Sequence, residues 1–177
     1  QDISWAGAYG GLTWSNNAGG HDYSNNEFYD LEGQTTGIFG GYLWNQGKLV
    51  YGLEAAITKG KVYELYAGGS YSYEDNYQFE RFFDVKGRLG YTKGKLMVYG
   101  VAGLSRTTFY AGKLTPYEVD TPTNGFIYGV GADYKVASHM FVGLEYMRRK
   151  YDFYEPVQDV DIASKINTLT LRVGAEF

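Results

Sequence analysis

Between Asn167 and Phe177 the chain alternates without a break: Leu169, Leu171, Val173, Ala175 and Phe177 fall on one parity, Thr168, Thr170, Arg172, Gly174 and Glu176 on the other. A repeat of two is the geometry of an extended strand, whose successive side chains point to opposite faces. One face is continuous hydrocarbon. The other carries an Arg, a Glu and a Gly, which is a poor surface for bulk water. Any fold must therefore place this strand between an apolar surrounding and an enclosed polar one.

The same alternation recurs along the chain. Ala6, Ala8, Gly10, Leu12 and Trp14 oppose Gly7, Tyr9, Gly11 and Thr13; Ile38, Gly40, Tyr42 and Trp44 oppose Gly37, Phe39, Gly41 and Leu43. Leu49, Tyr51, Leu53, Ala55 and Ile57 oppose Val50, Gly52, Glu54, Ala56 and Thr58, and Phe83, Val85, Gly87, Leu89 and Tyr91 oppose Phe82, Asp84, Lys86, Arg88 and Gly90. Further on, Phe126, Tyr128, Val130, Ala132 and Tyr134 oppose Ile127, Gly129, Gly131, Asp133 and Lys135, and Met140, Val142, Leu144 and Tyr146 oppose Phe141, Gly143, Glu145, Met147 and Arg149. In residues 96–107 both faces are apolar, so the pattern leaves open whether Met97, Tyr99 and Val101 or Val98, Gly100, Ala102 and Leu104 point outward.

These segments predict eight strands joined alternately by long and short connections. Residues 45–48, 92–95 and 136–139 are short turns, which join antiparallel neighbours. Strict alternation then puts all the long segments, 16–34, 59–80, 107–124 and 149–167, at one rim. Segments 16–34, 108–124 and 150–166 read as irregular loops. Residues 59–79, with Tyr63, Tyr66, Tyr71, Tyr73 and Tyr77 about Gly68-Gly69, read as a protruding hairpin.

Composition agrees with strands and tight turns: 25 Gly, 19 Tyr and 3 Pro, with 18% aromatic residues. A length of 177 residues suits one domain, residues 1–177, built as a closed sheet. The absence of Cys removes disulfides, thiolate metal sites and Cys nucleophiles. A formal charge of −4 with no Lys/Arg stripe argues against a nucleic-acid partner. No run of about 18 apolar residues is present, so neither a membrane helix nor a retained signal peptide is expected, and Gln1 reads as a mature N-terminus.

Two closed sheets suit eight such strands. In a soluble lipocalin-like carrier the apolar face would enclose a ligand and the polar face would meet water. Yet the polar parity holds Gly52, Gly90, Gly129, Gly131, Gly143 and Gly174, and glycine weakens an exposed strand. In the lumen of an eight-stranded membrane barrel, just wide enough for side chains, glycine relieves crowding and charges of opposite sign pair. The apolar face then meets lipid, with Tyr, Trp and Phe toward the strand ends. The expectation is an all-β, eight-stranded, antiparallel, up-and-down transmembrane β-barrel with both termini at the short-turn, periplasmic rim.

Several motifs, taken in order, resemble the outer-membrane β-barrel family of opacity-type proteins and OmpA/OmpX-type small barrels. They are the segment from Trp5 to Trp14, Gly40-Gly41-Tyr42, Tyr51-Gly52-Leu53-Glu54, Gly87-Arg88-Leu89-Gly90-Tyr91, Tyr99-Gly100-Val101-Ala102-Gly103, and Leu169 to Phe177. The resemblance spans the whole chain. It implies a Gram-negative outer membrane, surroundings of membrane lipid and lipopolysaccharide, and a C-terminal Phe177 that serves as a signal to the barrel assembly machinery.

The polar parity nominates Glu54, Lys86, Arg88, Glu145, Arg172 and Glu176 as an ion-paired lumen plug. A proton or ion path is the sharper reading of the same charges, and an eight-stranded lumen leaves no continuous water channel for it. His21 and His139 are the only histidines. Ser138 and His139 are adjacent, so as strand neighbours they would face opposite ways, which counts against an enzyme acting on lipid. His21 with Asp22, Glu27, Asp30 and Glu32 lacks metal spacing and reads as a solvated acidic loop. No catalytic, metal or cofactor site is expected. The four long segments hold 11 of the 19 tyrosines and a net charge of −8, against +4 for the rest. Tyrosine offers large amphipathic contact area at low entropy cost, so Tyr63, Tyr66, Tyr71, Tyr73 and Tyr77 are the candidate contacts for a surface protein partner. Packing of the hairpins against each other is the equally weighted alternative.

Overall fold

The computed structural model describes residues 3–26, 28–66, 71–72, 77–112, 116, 118–156 and 159–177. Its strands are β1 Gly7–Tyr23, β2 Phe28–Gln46, β3 Leu49–Tyr66, β4 Tyr71–Ser72, β5 Tyr77–Lys93, β6 Leu96–Ala111, β7 Val119–Lys135, β8 Met140–Glu155 and β9 Val160–Glu176. Strand β4 is a two-residue addition paired with the end of β3. The other eight are joined in the order β2-β1-β9-β8-β7-β6-β5-β3, and pairing of β3 with β2 closes the sheet. All the pairings are antiparallel. This is the up-and-down barrel that the alternation predicts.

Register sets the dimensions. Following directly paired residues from Lys135 through Phe141, Gly174, Gly11, Phe39, Ala56, Asp84 and Ser105 leads back to β7 at Gly125, ten residues from the start. Eight strands with that stagger tilt by about 40°. Two of the near-rim turns are two-residue Gly-Lys pairs whose glycines, Gly47 and Gly94, have φ of 62° and 60°. Glycine at the first central position is what a type II′ hairpin requires.

The apolar parity faces outward. Leu12, Ile38, Leu53, Leu89, Val130, Leu144 and Leu171 are exposed at mid-height, with Tyr42, Trp44, Tyr51, Tyr91 and Tyr134 near the short-turn rim and Trp14, Phe83, Phe126 and Tyr146 toward the other. At the observed tilt this band is about 25 Å tall, the height of a lipid-facing belt with its two aromatic girdles. Residues 96–107 settle with Val98, Gly100, Ala102 and Leu104 outward and Met97, Tyr99 and Val101 buried inside.

The strands run well past the belt. A strand of 17 residues at this tilt rises roughly 43 Å, so about 18 Å projects beyond the hydrocarbon. This corrects the reading of 16–34, 108–124 and 150–166 as irregular loops. Residues 16–23 and 28–34 pair as β1 and β2, 119–124 pair with β6, and 150–155 and 160–166 pair as β8 and β9. Alternation persists there with its polarity reversed: Val160, Ile162 and Ile166 turn inward while Asp161 and Lys165 face water. A search for apolar-outward strands does not register that phase. Bulges between Lys59 and Val62 and between Phe79 and Phe82 fall at the top of the belt, and the second lets both phenylalanines point inward.

A lipid-facing wall has a direct test. Val130 is 63% exposed at the middle of the belt. Val130→Arg should destabilise the barrel by about 2–4 kcal/mol if that position faces hydrocarbon. In a water-exposed strand the same change would stay within about 0.5 kcal/mol. Urea unfolding in detergent micelles or lipid vesicles distinguishes the two.

Candidate functional site

The lumen is filled by side chains in storeys. At mid-belt, where the strands bring the polar parity inside, Glu54 on β3 is 2% exposed and gathers partners from three other strands. Arg172 on β9 donates to it with both terminal nitrogens, Nη1 to Oε1 at 2.8 Å and Nη2 to Oε2 at 2.7 Å. Lys86 Nζ lies 3.1 Å from Oε1 and Arg88 Nη1 3.3 Å from Oε2, both from β5. The Tyr9 hydroxyl donates to Oε2 at 2.8 Å.

The three cations extend to two more carboxylates. Lys86 also pairs with Glu145, and Arg88 with Asp133 at 2.6 Å. Arg172 reaches Glu145 at 3.4 Å and Asp133 at 3.5 Å, and the Tyr99 hydroxyl donates to Glu145 at 3.1 Å. The guanidinium of Arg88 lies 3.8 Å from the Tyr99 ring centroid and that of Arg172 4.2 Å from the Phe39 centroid, adding cation–π contact. Three carboxylates thus face three cations in a neutral set.

Space for this set comes from glycine. A Cβ on Gly143 would stand 1.9 Å from Asp133 Oδ1, and one on Gly131 would stand 2.5 Å from the Tyr99 ring. Toward the far end Arg149 holds Asp84 through Nη1 at 2.7 Å and Nη2 at 2.8 Å, with Ser105 bonded to both Asp84 and Tyr151. Of the six residues that parity nominates, Glu54, Lys86, Arg88, Glu145 and Arg172 meet here. Glu176 does not: it pairs with Lys135 at the near rim, where Lys135 also donates to the Ser4 carbonyl at 2.6 Å. Asp133, Tyr9 and Tyr99 were missing from the nominated set. Asp133 has the right parity, but the soft patterns around Tyr9 and Tyr99 carry no sign that their hydroxyls are buried.

Beyond the belt the lumen becomes aromatic. Leu31, Val62, Phe79, Phe82, Phe109, Tyr151, Ile162 and Ile166 form one buried cluster. His21, expected in a solvated loop, is 0% exposed within it. Its ring lies 5.3, 5.6 and 6.0 Å from those of Phe109, Phe79 and Phe153. Ser164 Oγ sits 2.5 Å from Nδ1, and Glu64 Oε1, which accepts from the Tyr23 hydroxyl, lies 3.4 Å from Nε2. Hydroxyl, imidazole and carboxylate in series are the parts of a hydrolase triad. All three are enclosed here, with Ser164 at 1% and Glu64 at 2% exposure, and His21 Nε2 is buried without a hydrogen-bond partner. Burial pushes the imidazole down to about 3 from its usual 6.5. Among the described residues no group of three or more His, Asp or Glu could hold a metal ion.

Of the five tyrosines expected to stand out, Tyr63 is half-buried, with its hydroxyl 3.1 Å from Glu32 Oε1, and Tyr77 packs against the aromatic cluster. Tyr66 pairs with Tyr71 through the backbone. Tyr73, Gly68, Gly69 and the side chains of Tyr66 and Tyr71 lie outside the described residues, as does Glu27. Phe177, 86% exposed, has its backbone nitrogen bonded to the Ala8 carbonyl at 2.9 Å beside the seam of β1 and β9.

With this geometry in hand, comparison with known proteins is specific. Residues 1–177 match the family described as outer membrane protein beta-barrel domain. A 22 kDa outer membrane protein of Rhizobium leguminosarum bv. viciae is 30% identical over 182 residues, covering 98% of this chain and 79% of that protein. Two solved barrels are similar in fold: Neisserial surface protein A, with a TM-score of 0.59 at 14% identity, and the attachment invasion locus protein Ail of Yersinia pestis, with a TM-score of 0.57 at 12% identity. Each alignment covers 97% of this chain and 99% of the other. Ail has also been solved with the heparin analogue sucrose octasulfate.

Two measurements follow from the storeys. Glu54→Ala removes the shared acceptor of three buried cations and should cost about 3–5 kcal/mol of stability in detergent. An unchanged unfolding midpoint would show that the cations do not depend on it. The His21 contribution has the opposite sense to a salt bridge. The unfolded ring takes up a proton near pH 6.5 while the folded one refuses it until about 3, so its contribution is complete above pH 6.5 and lost as pH falls between those values. At about pH 4.5 the loss should reach roughly 2–3 kcal/mol. His21→Phe should show a pH-dependent loss smaller by that amount, and equal losses in both proteins would refute the linkage.

Proposed function

Because this chain belongs to the outer membrane protein β-barrel family and resides in the outer membrane of the Gram-negative envelope, we propose that it is a closed, surface-displayed barrel that recognises partners through its projecting end. The observation carrying this reading is the continuation of paired strands about 18 Å past the apolar belt around a packed aromatic interior. A framework of that kind carries the backbone pair of Tyr66 and Tyr71 at the end of β3, and a pre-formed support lowers the ordering cost of binding. Residues 66–73 carry Tyr66, Tyr71 and Tyr73, whose composition suits a protein contact. The lumen serves as a plug: its charges are matched, and eight strands leave little space beside them. Glu176 is outside that plug, in the near-rim pair with Lys135. We also infer that the protein is not an enzyme, since the Ser164, His21 and Glu64 series is sealed by aromatic rings.

The heparin analogue bound to Ail is a polyanion. Outward Asp22, Asp152 and Asp161 make the outer end of the projecting wall acidic, so a partner for that end is sought among neutral, aromatic or basic protein surfaces. Phe177 is assigned to assembly, through contact with the barrel assembly machinery, on family resemblance.

The test uses the barrel in lipid nanodiscs. Tyr66→Ser, Tyr71→Ser and Tyr73→Ser combined should leave the barrel folded and lower its capture of cell-surface proteins about tenfold, the equivalent of about 1.4 kcal/mol. Capture at the unmodified level would move recognition to another part of the surface. In planar bilayers the unmodified protein should show no steady open conductance, and a large steady conductance would refute the plug.

A further inference from the structure

The two rims of the barrel carry opposite charge. The long segments sum to −8, whereas the short turns 45–48, 92–95 and 136–139 hold Lys48, Lys93 and Lys95 and no Asp or Glu. Short turns of an outer-membrane barrel face the periplasm. Among the cations at this rim Lys135 is engaged, by Glu176 and by the Ser4 carbonyl. Lys48 is exposed, and among the described residues no carboxylate lies within 4.0 Å of it.

The turn after β2 is tied to its neighbour. Thr92 donates to the Lys48 carbonyl through its backbone nitrogen at 2.9 Å and through its hydroxyl at 3.3 Å, which joins that turn to the end of β5. Opposite this junction the segment leading into β1 spans the mouth of the lumen, with Trp5 buried inside, its ring centroid 6.1 Å from that of Phe141. A pocket of about 270 Å³ remains between them, with Ile3 and Ser4 on one wall and Asn45, Lys48 and Thr92 on the other. Gly47 and Gly94 complete it, and a Cβ on either would meet nothing within 4 Å. Asn45 and Thr92 lie on the inward parity of β2 and β5, so the pocket belongs to the mouth and not to the lipid-facing wall. Asn45 Oδ1 is enclosed there without a hydrogen-bond partner. An enclosed acceptor is costly until a donor reaches it.

We propose that this pocket takes the carboxylate end of a peptide presented from the periplasm, with the carboxylate on Lys48 Nζ, the last amide N–H on Asn45 Oδ1 and a small side chain against Ile3. A flexible ammonium is a point charge that suits a single carboxylate. Asn45 selects a peptide end over a free anion, because acetate or phosphate brings no N–H to the enclosed acceptor. A phospholipid of the inner leaflet lies on the other side of the wall from Asn45 and Thr92. Trp5 closes the lumen behind the pocket, so the site reads a chain end and does not thread a chain through. The inference rests on the outer-membrane placement and is independent of the tyrosine segment, which stands at the opposite rim.

The experiment titrates acetyl-L-Ala-L-Ala and acetyl-D-Ala-D-Ala, each with a free carboxylate, into the detergent-refolded barrel and follows the backbone amides of Gly47 and Gly94 by NMR. Saturable shifts at those two positions are expected. Capping the carboxylate as an amide should weaken binding about tenfold, the fold-change of one charge-assisted hydrogen bond. K48Q should do the same to the uncapped peptide, and N45V, which removes the enclosed acceptor, should weaken binding several-fold. K93Q removes the same charge from the outward side of the rim and should have little effect. Tighter binding of the D form identifies cell-wall peptides as the source, and tighter binding of the L form identifies protein tails; either upholds the proposal. It is overturned by equal binding of the capped peptide, by equal losses in K48Q and K93Q, or by unchanged binding in N45V. Displacement by acetate at the concentration the peptide needs would reveal a free-anion site and also overturns it. Should K48Q fail to fold, the capped and uncapped peptides on the unmodified protein decide the matter.

Discussion

Glu54 sits at the middle of the lipid belt and accepts from, or pairs with, Arg172, Lys86, Arg88 and Tyr9. Closing eight strands encloses the polar parity, and an unpaired charge so far from water costs several kcal/mol. The carboxylate therefore depends on its cations, and they in turn reach Asp133 and Glu145. Much of the interior is shaped by the volume of this set. Gly131 and Gly143 lack side chains where Tyr99 and Asp133 need the space. The glycines that looked costly on a water-facing strand are the counterpart of long charged side chains in a narrow lumen.

The medium outside determines what lies inside. Where hydrocarbon surrounds the wall, apolar side chains point out and ion pairs fill the interior. Where water surrounds it, the preference reverses: Lys165 and Asp161 point out, and Ile162, Ile166, Phe79 and Phe109 form a core. One continuous sheet is thus a membrane protein over its lower part and resembles a soluble barrel over its upper part. The bulges at Lys59/Val62 and Phe79/Phe82 lie near the change. The projecting part of the barrel has an apolar core of its own.

Fold and site differ in how far they can be read from residues alone. In β9, Leu169, Leu171 and Val173 against Thr170, Arg172 and Gly174 leave one consistent environment, and in β3 Glu54 stands among small residues on the inner parity. For β6 two apolar faces offered no choice, and only the enclosure of Met97, Tyr99 and Val101 resolves it. Upper β1 and β9 were hidden because their alternation runs in the opposite sense. His21 and Ser164 stand 143 residues apart and meet because β1 closes the barrel against β9.

The sequence by itself determined the strand number, the antiparallel order, the lipid-facing parity and most members of the charged interior, because period-two patterning is local and a buried charge must be matched. Tertiary structure decided which charges touch: Glu54 with Arg172, Arg149 with Asp84, and Glu176 with Lys135 rather than with the central set. Those choices depend on the ten-residue stagger that brings Gly125 and Lys135 onto one circuit of the wall. Stagger is a property of the closed sheet as a whole. No single strand contains it, since it is defined only when β1 meets β9 and the circuit is complete.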